Sequence, residues 1–383
     1  MHAPDRRHDD TSLYVHVPFC VVKCGYCDFN SYAIADVDAH RRFVAALDAE
    51  LGGVAPPRTP ATVFIGGGTP TYLGEAEFAA FFDVLARHVD LPGCAEVSME
   101  ANPESVTPAK ARIAHAAGVR RASIGVQTFA PDGLRFLDRA HDADAVARAV
   151  DAFREAGFDN LSLDLIYGLP GQSLEAWDAD LDRALALRPD HLSCYNLTFE
   201  PGTRLTRDLE RGRVAPNDDA QDRRLFEHTH ARLAAAGFWP YEVSNFAGRG
   251  GPCRHNDRYW LQHDYVGVGP GAASHRGGWR GTNLKPLDAW ADAVERGLPG
   301  TGEAEWLDRP ARVGEALWLG LRRRDGVDLR AIGARVGVSV ETVVGAELDE
   351  LVGSGRLERE GTVVRLAPDW LPFADVVGAA FLR

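Results

Sequence analysis

Residues 20–27 read Cys-Val-Val-Lys-Cys-Gly-Tyr-Cys, which places three of the six cysteines of the chain within eight positions. The spacing C-x3-C-x2-C puts these three thiols on a single loop. The remaining cysteines, Cys94, Cys194 and Cys253, are scattered, so the pattern differs from the disulfide framework of a small secreted protein. In a chain of 383 residues, clustered thiols indicate a metal site in a reducing compartment.

Cys20, Cys24 and Cys27 can bind three corners of a [4Fe–4S] cubane and leave the fourth iron without a protein ligand. Such an iron can accept a chelating amino acid, for example the methionine end of S-adenosylmethionine (SAM). One electron passed into SAM can split it into methionine and a 5′-deoxyadenosyl radical. The alternatives are three unrelated thiols or a structural zinc site. Zinc normally has four ligands, and the nearby His16 lies on a predicted strand that would hold it away from the loop.

The composition is that of an acidic globular protein, with 45% hydrophobic residues, 25% charged residues and a formal net charge of −13. This charge disfavours binding to a nucleic-acid backbone. The polar segment 1–10 predicts neither a signal peptide nor a transit peptide. The sequence contains no run of 18 apolar residues, so we expect no membrane span. We expect a cytoplasmic protein whose membrane association, if any, is made through partners.

Short apolar segments alternate with segments of helical periodicity over the first two-thirds of the chain. The predicted strands are 13–17, 63–66, 96–100, 122–127, 161–167 and 191–197. The predicted helices between them are 39–51, 75–88, 108–116, 144–155 and 174–187. Repeated β-then-α units imply parallel strands joined by crossover helices. We predict an α/β fold, a partial (β/α)6 barrel, with its functional groups at the C-terminal ends of the strands.

We predict three domains: a barrel with the cofactor site over 1–215, a barrel extension over 216–300, and a C-terminal domain over 301–383. Residues 266–271 are too rich in glycine to predict a regular element. In the last domain, a helix, a helix-turn-helix and a hairpin predict a winged-helix-like fold. Residues 302–383 contain 11 Arg, no Lys and 14 acidic residues, so we expect a structural or docking role rather than DNA binding.

A second motif, Gly66-Gly67-Gly68-Thr69-Pro70, ends the second predicted strand. Consecutive glycines let the backbone approach a ligand closely and expose its N–H and C=O groups. An edge of this kind suits the amine and carboxylate of a methionine. A plain strand-to-helix turn is the alternative.

Three further segments, 99–103, 123–127 and 164–170, read Met-Glu-Ala-Asn-Pro, Ser-Ile-Gly-Val-Gln and Asp-Leu-Ile-Tyr-Gly-Leu-Pro. With the cysteine loop and the glycine motif, they make the chain resemble the radical SAM family of oxygen-independent coproporphyrinogen III oxidase and the heme chaperone HemW. The similarity continues through 241–246 into the C-terminal domain. It implies that the barrel binds a [4Fe–4S] cluster and SAM.

The resemblance also implies a SAM site of nine residues. Those expected around the methionine end of SAM are Gly67, Gly68, Thr69, Glu100 and Arg139. Those expected beside the ribose, the adenine and the cluster are Gln127, Asp164, Tyr14 and Tyr26. An arginine fork suits a carboxylate, and an aspartate suits a diol. A surface ion at Arg139 and a hydrogen bond of the barrel core at Asp164 are the alternatives.

Two features separate the chaperone from the oxidase. The oxidase carries a further cysteine two residues after the third ligand, where this chain has Phe29. The oxidase also has a long extension before the cluster, whereas 19 residues precede Cys20 here. Both features favour the chaperone over decarboxylation of coproporphyrinogen III. That oxidase activity, a radical SAM enzyme of another substrate and, least favoured, a DNA-binding regulator are the alternatives.

Residues 253–260 read Cys-Arg-His-Asn-Asp-Arg-Tyr-Trp and contain a His-Asn-x-x-Tyr-Trp pattern that the resemblance links to heme. A neutral imidazole can be an axial iron ligand, and aromatic rings can cover a porphyrin face. The candidate heme residues are His255, Cys253, Asn256, Tyr259 and Trp260, and further candidate ligands are His16, His263 and His275. A buried aromatic cluster around a hydrogen-bonded histidine is the alternative. The resemblance further implies delivery of heme to apo-heme proteins such as respiratory cytochromes, and a cluster-dependent homodimer.

Overall fold

The computed structural model describes residues 10–382, so the predictions for residues 1–9 lie outside the described part. Six strands follow one another along the chain: β1 (Ser12–Val17), β2 (Val63–Gly67), β3 (Val97–Ala101), β4 (Arg121–Gln127), β5 (Asn160–Tyr167) and β6 (His191–Asn196). They pair in this order, each parallel to the next. Side chains from β2 to β6 and from the loop after β1 line one cavity, so the sheet curls into the predicted partial barrel.

The crossover helices also agree with the prediction. The helices of the barrel part are α1 (Val37–Val54), α2 (Glu75–His88), α3 (Pro108–Ala117), α4 (Pro131–Phe136), α5 (Ala143–Glu155), α6 (Leu174–Ala186), α7 (Arg204–Glu210) and α8 (Asp219–Ala235). Short polar side chains that accept a backbone N–H cap most of them, including Thr107 before α3, Asp142 before α5 and Ser173 before α6. Such caps fix where each helix begins.

The sheet continues beyond the barrel at both edges. The added strands are β7 (Trp239–Pro240), β8 (Asn245–Ala247), β9 (Tyr265–Val268), β10 (Ala273–Arg276), β11 (Trp279–Asn283) and β12 (Thr301–Trp306). Strand β8 pairs with β6, and β9 pairs in parallel with β1. Strand β12 lies beyond residue 300, where the predicted extension ends, but it pairs with β11 of that extension. The domain limits stay a prediction.

The expectation that residues 266–271 form no regular element was wrong for 266–268, which lie in β9. Gly267 is required by packing, since a Cβ there would lie 2.0 Å from the carbonyl oxygen of Ala273. The glycine therefore marks a close approach of two strands rather than a loop.

The C-terminal part has its own core. Two helices of the barrel extension, α9 (Arg254–Trp260) and α10 (Leu287–Glu295), precede it. Its own elements are α11 (Arg309–Gly320), β13 (Val327–Asp328), α12 (Leu329–Val336), α13 (Val340–Gly353), β14 (Leu357–Glu360), β15 (Val363–Leu366) and α14 (Ala374–Gly378). Strands β13, β15 and β14 form a small sheet, and α11 to α13 pack their apolar faces on it. The winged-helix assignment stays a prediction. Within residues 10–382, every helix is too short or too polar to cross a membrane.

Candidate functional site

A cavity of about 380 Å³ opens at the C-terminal ends of the parallel strands. All three clustered cysteines line it. Eight of the nine residues predicted for SAM line it as well: Tyr26, Gly67, Gly68, Thr69, Glu100, Gln127, Arg139 and Asp164. The barrel therefore brings together, at one rim, residues that lie up to 144 positions apart in the sequence.

Tyr14, the ninth predicted residue, lies beneath the cavity rather than in its wall. Its hydroxyl is 2.9 Å from Nδ1 of His16, and its ring stacks on Phe64 at 6.4 Å. Burial, and then the nearby charge of Glu100, raise the pKa of Tyr14 well above its usual value. The second ring nitrogen of His16 lies 2.8 Å from the carbonyl oxygen of Asn30. Both nitrogens of His16 are thus engaged away from the thiols, as expected from its position on β1.

The cysteine loop presents three free thiols with donors around them. Thr69 Oγ1 lies 3.5 Å from Cys20 Sγ, and Arg139 Nη1 lies 3.4 Å from Cys24 Sγ. Burial raises the pKa of Cys20 and raises that of Cys27 to about 11. At Cys20 the hydroxyl of Thr69 opposes the effect of burial and so favours the thiolate form that a cluster requires.

The donor set fits a cubane better than a single zinc ion. Among residues 10–382, no three His, Cys, Asp or Glu side chains are arranged to hold one metal ion. The ligands of a cubane bind separate iron atoms and need not converge on one point. The thiols in the wall of the cavity therefore fit a [4Fe–4S] cluster, and the zinc alternative gains no support.

The glycine motif is packed directly against the cysteine loop. The N–H of Gly68 donates to the carbonyl of Val17, and that of Thr69 donates to the carbonyl of Phe19. Gly67 has φ of 98°, and a Cβ there would lie 2.2 Å from His16 Nδ1. These glycines are thus needed for packing as well as for a backbone edge that faces a ligand.

Two partly buried carboxylates lie at the floor of the cavity. Glu100 Oε2 accepts the N–H of Gly67 at 2.9 Å. Burial raises the pKa of Glu100 to about 7; the Gly67 N–H opposes this shift and the charge of Asp164 adds to it. Asp164 accepts hydrogen bonds from Ser123 and Ser162. Asp164 thus forms hydrogen bonds within the barrel core, as the alternative interpretation expected, and it also lines the cavity.

A distortion of β4 turns Gln127 toward the cavity. Gln127 has φ of 66°, a left-handed backbone conformation that is rare outside glycine. The pairing of β4 with β5 shifts register between Gly125 and Gln127. Such bulges re-aim a side chain at a functional site.

Arg139 lines the cavity instead of forming a surface ion pair. Its Nη2 donates to Asn102 Oδ1 at 2.6 Å and to the carbonyl of Gly125 at 2.9 Å. Asn102 and Gly125 also line the cavity. Both residues lie within motifs of the sequence, 99–103 and 123–127, but the sequence alone assigned neither of them a role.

The candidate heme segment lies at the opposite end of the barrel. His255 is fully buried, with Nδ1 2.8 Å from Thr62 Oγ1 and Nε2 2.9 Å from the hydroxyl of Tyr259. Cys253 is also fully buried, with its sulfur 3.5 Å from Glu96 Oε1. Thr62 and Glu96 directly precede β2 and β3, so this end is formed by the N-termini of the strands.

In this arrangement, His255 is neutral but both of its ring nitrogens are engaged. Burial lowers the pKa of His255 to about 3 and raises that of Cys253 to about 12. The arrangement is the buried aromatic cluster around a hydrogen-bonded histidine that we considered as the alternative. Ligation of a heme iron by His255 therefore requires one of these hydrogen bonds to break.

The other candidate residues of the segment are partly exposed, and Trp260 among them contacts the C-terminal part. Tyr259 packs on Tyr265 at 4.6 Å, and the guanidinium of Arg322 lies 5.0 Å from the ring centre of Trp260. Asn256, like these two aromatic residues, is partly buried. Two more candidate ligands lie near this end: His263 Nδ1 is 3.6 Å from a carboxylate oxygen of Asp10, and His275 Nδ1 is 3.7 Å from one of Asp264.

Comparison with known proteins identifies the class. Residues 14–184 match the Radical SAM superfamily, and residues 307–369 match the HemN C-terminal domain. The structure resembles coproporphyrinogen III oxidase (HemN) from Escherichia coli, with a TM-score of 0.84 and 24% identity, covering 98% of this chain and 91% of that chain. This similarity establishes the fold. The chain is a radical SAM protein, a class that uses a [4Fe–4S] cluster and SAM.

Two curated relatives define the family. Heme chaperone HemW of Mycobacterium tuberculosis is 40% identical over 364 residues, which are 92% of this chain and 93% of the relative. Heme chaperone HemW of Bacillus subtilis is 34% identical over 376 residues, which are 97% of this chain and 99% of the relative. The chain belongs to the HemW family of radical SAM heme chaperones.

Proposed function

We propose that this chain binds heme and delivers it to apo-heme proteins, among them respiratory cytochromes. The observation that carries the proposal is the similarity over 92% of the chain to a protein named a heme chaperone. The absence of a fourth cysteine at Phe29 supports it. We place the protein in the cytoplasm, as a homodimer that reaches membranes through its partners.

The cavity at the strand ends is proposed to hold the cluster on Cys20, Cys24 and Cys27 with SAM beside it. When bound, the cluster can supply one electron to SAM. Glu100 would accept a hydrogen bond from the amino group of SAM, and Arg139 would donate to its carboxylate. Gln127 and Asp164 would bind the ribose hydroxyls.

The heme is proposed to bind at the other end of the barrel, at residues 253–260. His255 is a neutral imidazole, which is the form that binds iron. Its Nε2 would exchange the hydrogen bond with Tyr259 for the iron, so heme binding must move α9 away from the strand ends. The partial exposure of Tyr259 and Trp260 supports such a movement, because these rings already form part of the surface.

The proposal is tested by an anaerobic heme titration of the cluster-reconstituted protein, followed at the Soret band. We expect saturable binding that His255→Ala abolishes. Thr62→Val is the matched control, since it removes the bond to Nδ1 but keeps the imidazole, and it should retain saturable binding, weakened because the ring loses the partner that orients it. Circular dichroism of each variant reports whether the fold is intact.

The outcomes of this titration test the identity of the heme ligand and the chaperone function separately. Unchanged binding by folded His255→Ala would discard the ligand, and His263→Ala and His275→Ala would then be compared. Absence of binding by the unmodified protein would contradict the chaperone function. Conversion of coproporphyrinogen III to protoporphyrinogen IX, with 5′-deoxyadenosine and carbon dioxide in fixed ratio to product, would establish the oxidase instead.

A further inference from the structure

A continuous chain of side-chain contacts joins two of the cluster thiols through Asn102. Thr69 Oγ1 donates to Cys20 Sγ at 3.5 Å, and Asn102 Nδ2 donates to Thr69 Oγ1 at 2.7 Å. On the other side, Arg139 Nη2 donates to Asn102 Oδ1 at 2.6 Å, while Nη1 donates to Cys24 Sγ at 3.4 Å. The side-chain amide of Asn102 therefore holds one hydrogen-bond donor against the sulfur of Cys20 and another against the sulfur of Cys24.

The side-chain amide of Asn102 satisfies both of its neighbours. The guanidinium of Arg139 has no acceptor, so the amide oxygen must face it and the amide nitrogen must face Thr69. Because the Thr69 oxygen accepts from this nitrogen, its own hydrogen is directed toward the sulfur of Cys20. A leucine has a similar shape but can neither donate nor accept.

The backbone and the surroundings hold Asn102 in this position. Its carbonyl oxygen accepts both the N–H and the hydroxyl of Ser105, each at 3.0 Å. Gly125 provides the space opposite the amide, since a Cβ there would lie 2.8 Å from Asn102 Oδ1 and 3.3 Å from Arg139 Nη2. The carbonyl of Gly125 also accepts a hydrogen bond from Arg139.

We propose that Asn102 is a positioning residue that sets the reduction potential of the cluster by holding the Thr69 hydroxyl on Cys20 and the Arg139 guanidinium on Cys24. The inference rests on the proposed cluster site. Hydrogen bonds to the sulfurs and a nearby positive charge stabilise the reduced cluster, which carries one more negative charge, and so raise its potential. Without the amide, the hydroxyl can rotate away and the guanidinium can leave Cys24.

The test is a redox titration of the reconstituted protein without SAM, monitored by the electron paramagnetic resonance signal of the reduced cluster. Asn102→Leu should make reduction about tenfold less favourable, which lowers a one-electron potential by about 59 mV. Asn217→Leu is the matched control. Asn217 also both donates and accepts, to Asp222 and from the Gly171 N–H, but it lies outside this cavity, and its variant should keep the original potential.

Gly125→Ala provides a second, independent perturbation. Gly125 does not have a positive φ, so alanine adds a methyl group against Asn102 without straining the backbone. We expect a shift in the same direction. If Asn102→Leu fails to hold a cluster, the reduction potential of Gly125→Ala tests the proposal in its place.

Iron and sulfide content is measured first, because it tests the cluster site separately from the role of Asn102. An unmodified protein that takes up no cluster would contradict the proposed cluster site itself. A fully loaded Asn102→Leu protein with the original potential would overturn the role of Asn102. A lowered potential in both variants, with Asn217→Leu unchanged, would support it.

Discussion

The pKa of Glu100 gives a quantitative prediction for SAM binding. Burial raises this pKa to about 7, so the carboxylate is ionised above pH 7 and protonated below it. The ionised form accepts hydrogen bonds from the amino group of SAM more strongly. The contribution of Glu100 to SAM affinity should therefore be present above pH 7 and be lost as the pH falls through it.

Glu100→Gln isolates this contribution, because glutamine keeps the shape of the side chain and carries no charge at any pH. One pH unit below the pKa, about one-tenth of the carboxylate remains ionised. The ratio of the dissociation constants for SAM, variant over unmodified protein, should therefore fall about tenfold between pH 8 and pH 6. Any titration of SAM itself cancels in this ratio.

The measurement is equilibrium binding of SAM to the two cluster-loaded proteins across this pH range, without reductant. Circular dichroism and iron content at each pH confirm that fold and cluster persist. A ratio that stays constant from pH 8 to pH 6 would refute the assignment of Glu100 to the amino group. A ratio that rises as the pH falls would refute the sign of the argument.

Three further predictions concern the fold and the cavity. Gly67→Ala adds a Cβ 2.2 Å from His16 at φ of 98°, and it should lower both the melting temperature and SAM affinity; a variant with both unchanged would contradict the packing argument. Leu163→Ala, at a fully buried position in β5, should lower the free energy of unfolding by about 2–5 kcal/mol in denaturant titrations, against under about 0.5 kcal/mol for exposed Ala220→Ser. Removal of the cluster by a chelator should abolish SAM binding but leave the circular dichroism spectrum unchanged.

The barrel was predictable because each of its strands can be recognised from its own short stretch of sequence. Each consists of a short run of apolar and β-branched residues between helices with clear periodicity, and this pattern does not depend on distant contacts. The cavity was predictable in outline for the same reason, because parallel strands place the residues after their C-terminal ends at one rim. The cysteine loop and Gly66–Gly68 each lie at such an end.

Features that depend on contacts between distant residues were not predictable. Strand β9 was not predicted because its Gly267 is unfavourable in a strand. This glycine is present because Ala273 approaches the backbone closely there. The sequence identifies His255 as a candidate ligand but does not show that Thr62, 193 positions away, occupies one of its nitrogens. It also contains Asn102 within the motif 99–103, but the contacts with Thr69 and Arg139 exist only in the folded chain.

The central claim is that this chain carries heme to other proteins, and heme transfer tests it most directly. The heme-loaded protein is mixed with an apo-cytochrome under anaerobic conditions, the two proteins are separated, and the heme content of each is measured. The account predicts that heme leaves this chain and appears in the acceptor in equal amount, faster than free heme at the same concentration is taken up. Heme that stays with this chain, or an acceptor that fills no faster than it does from free heme, would contradict it.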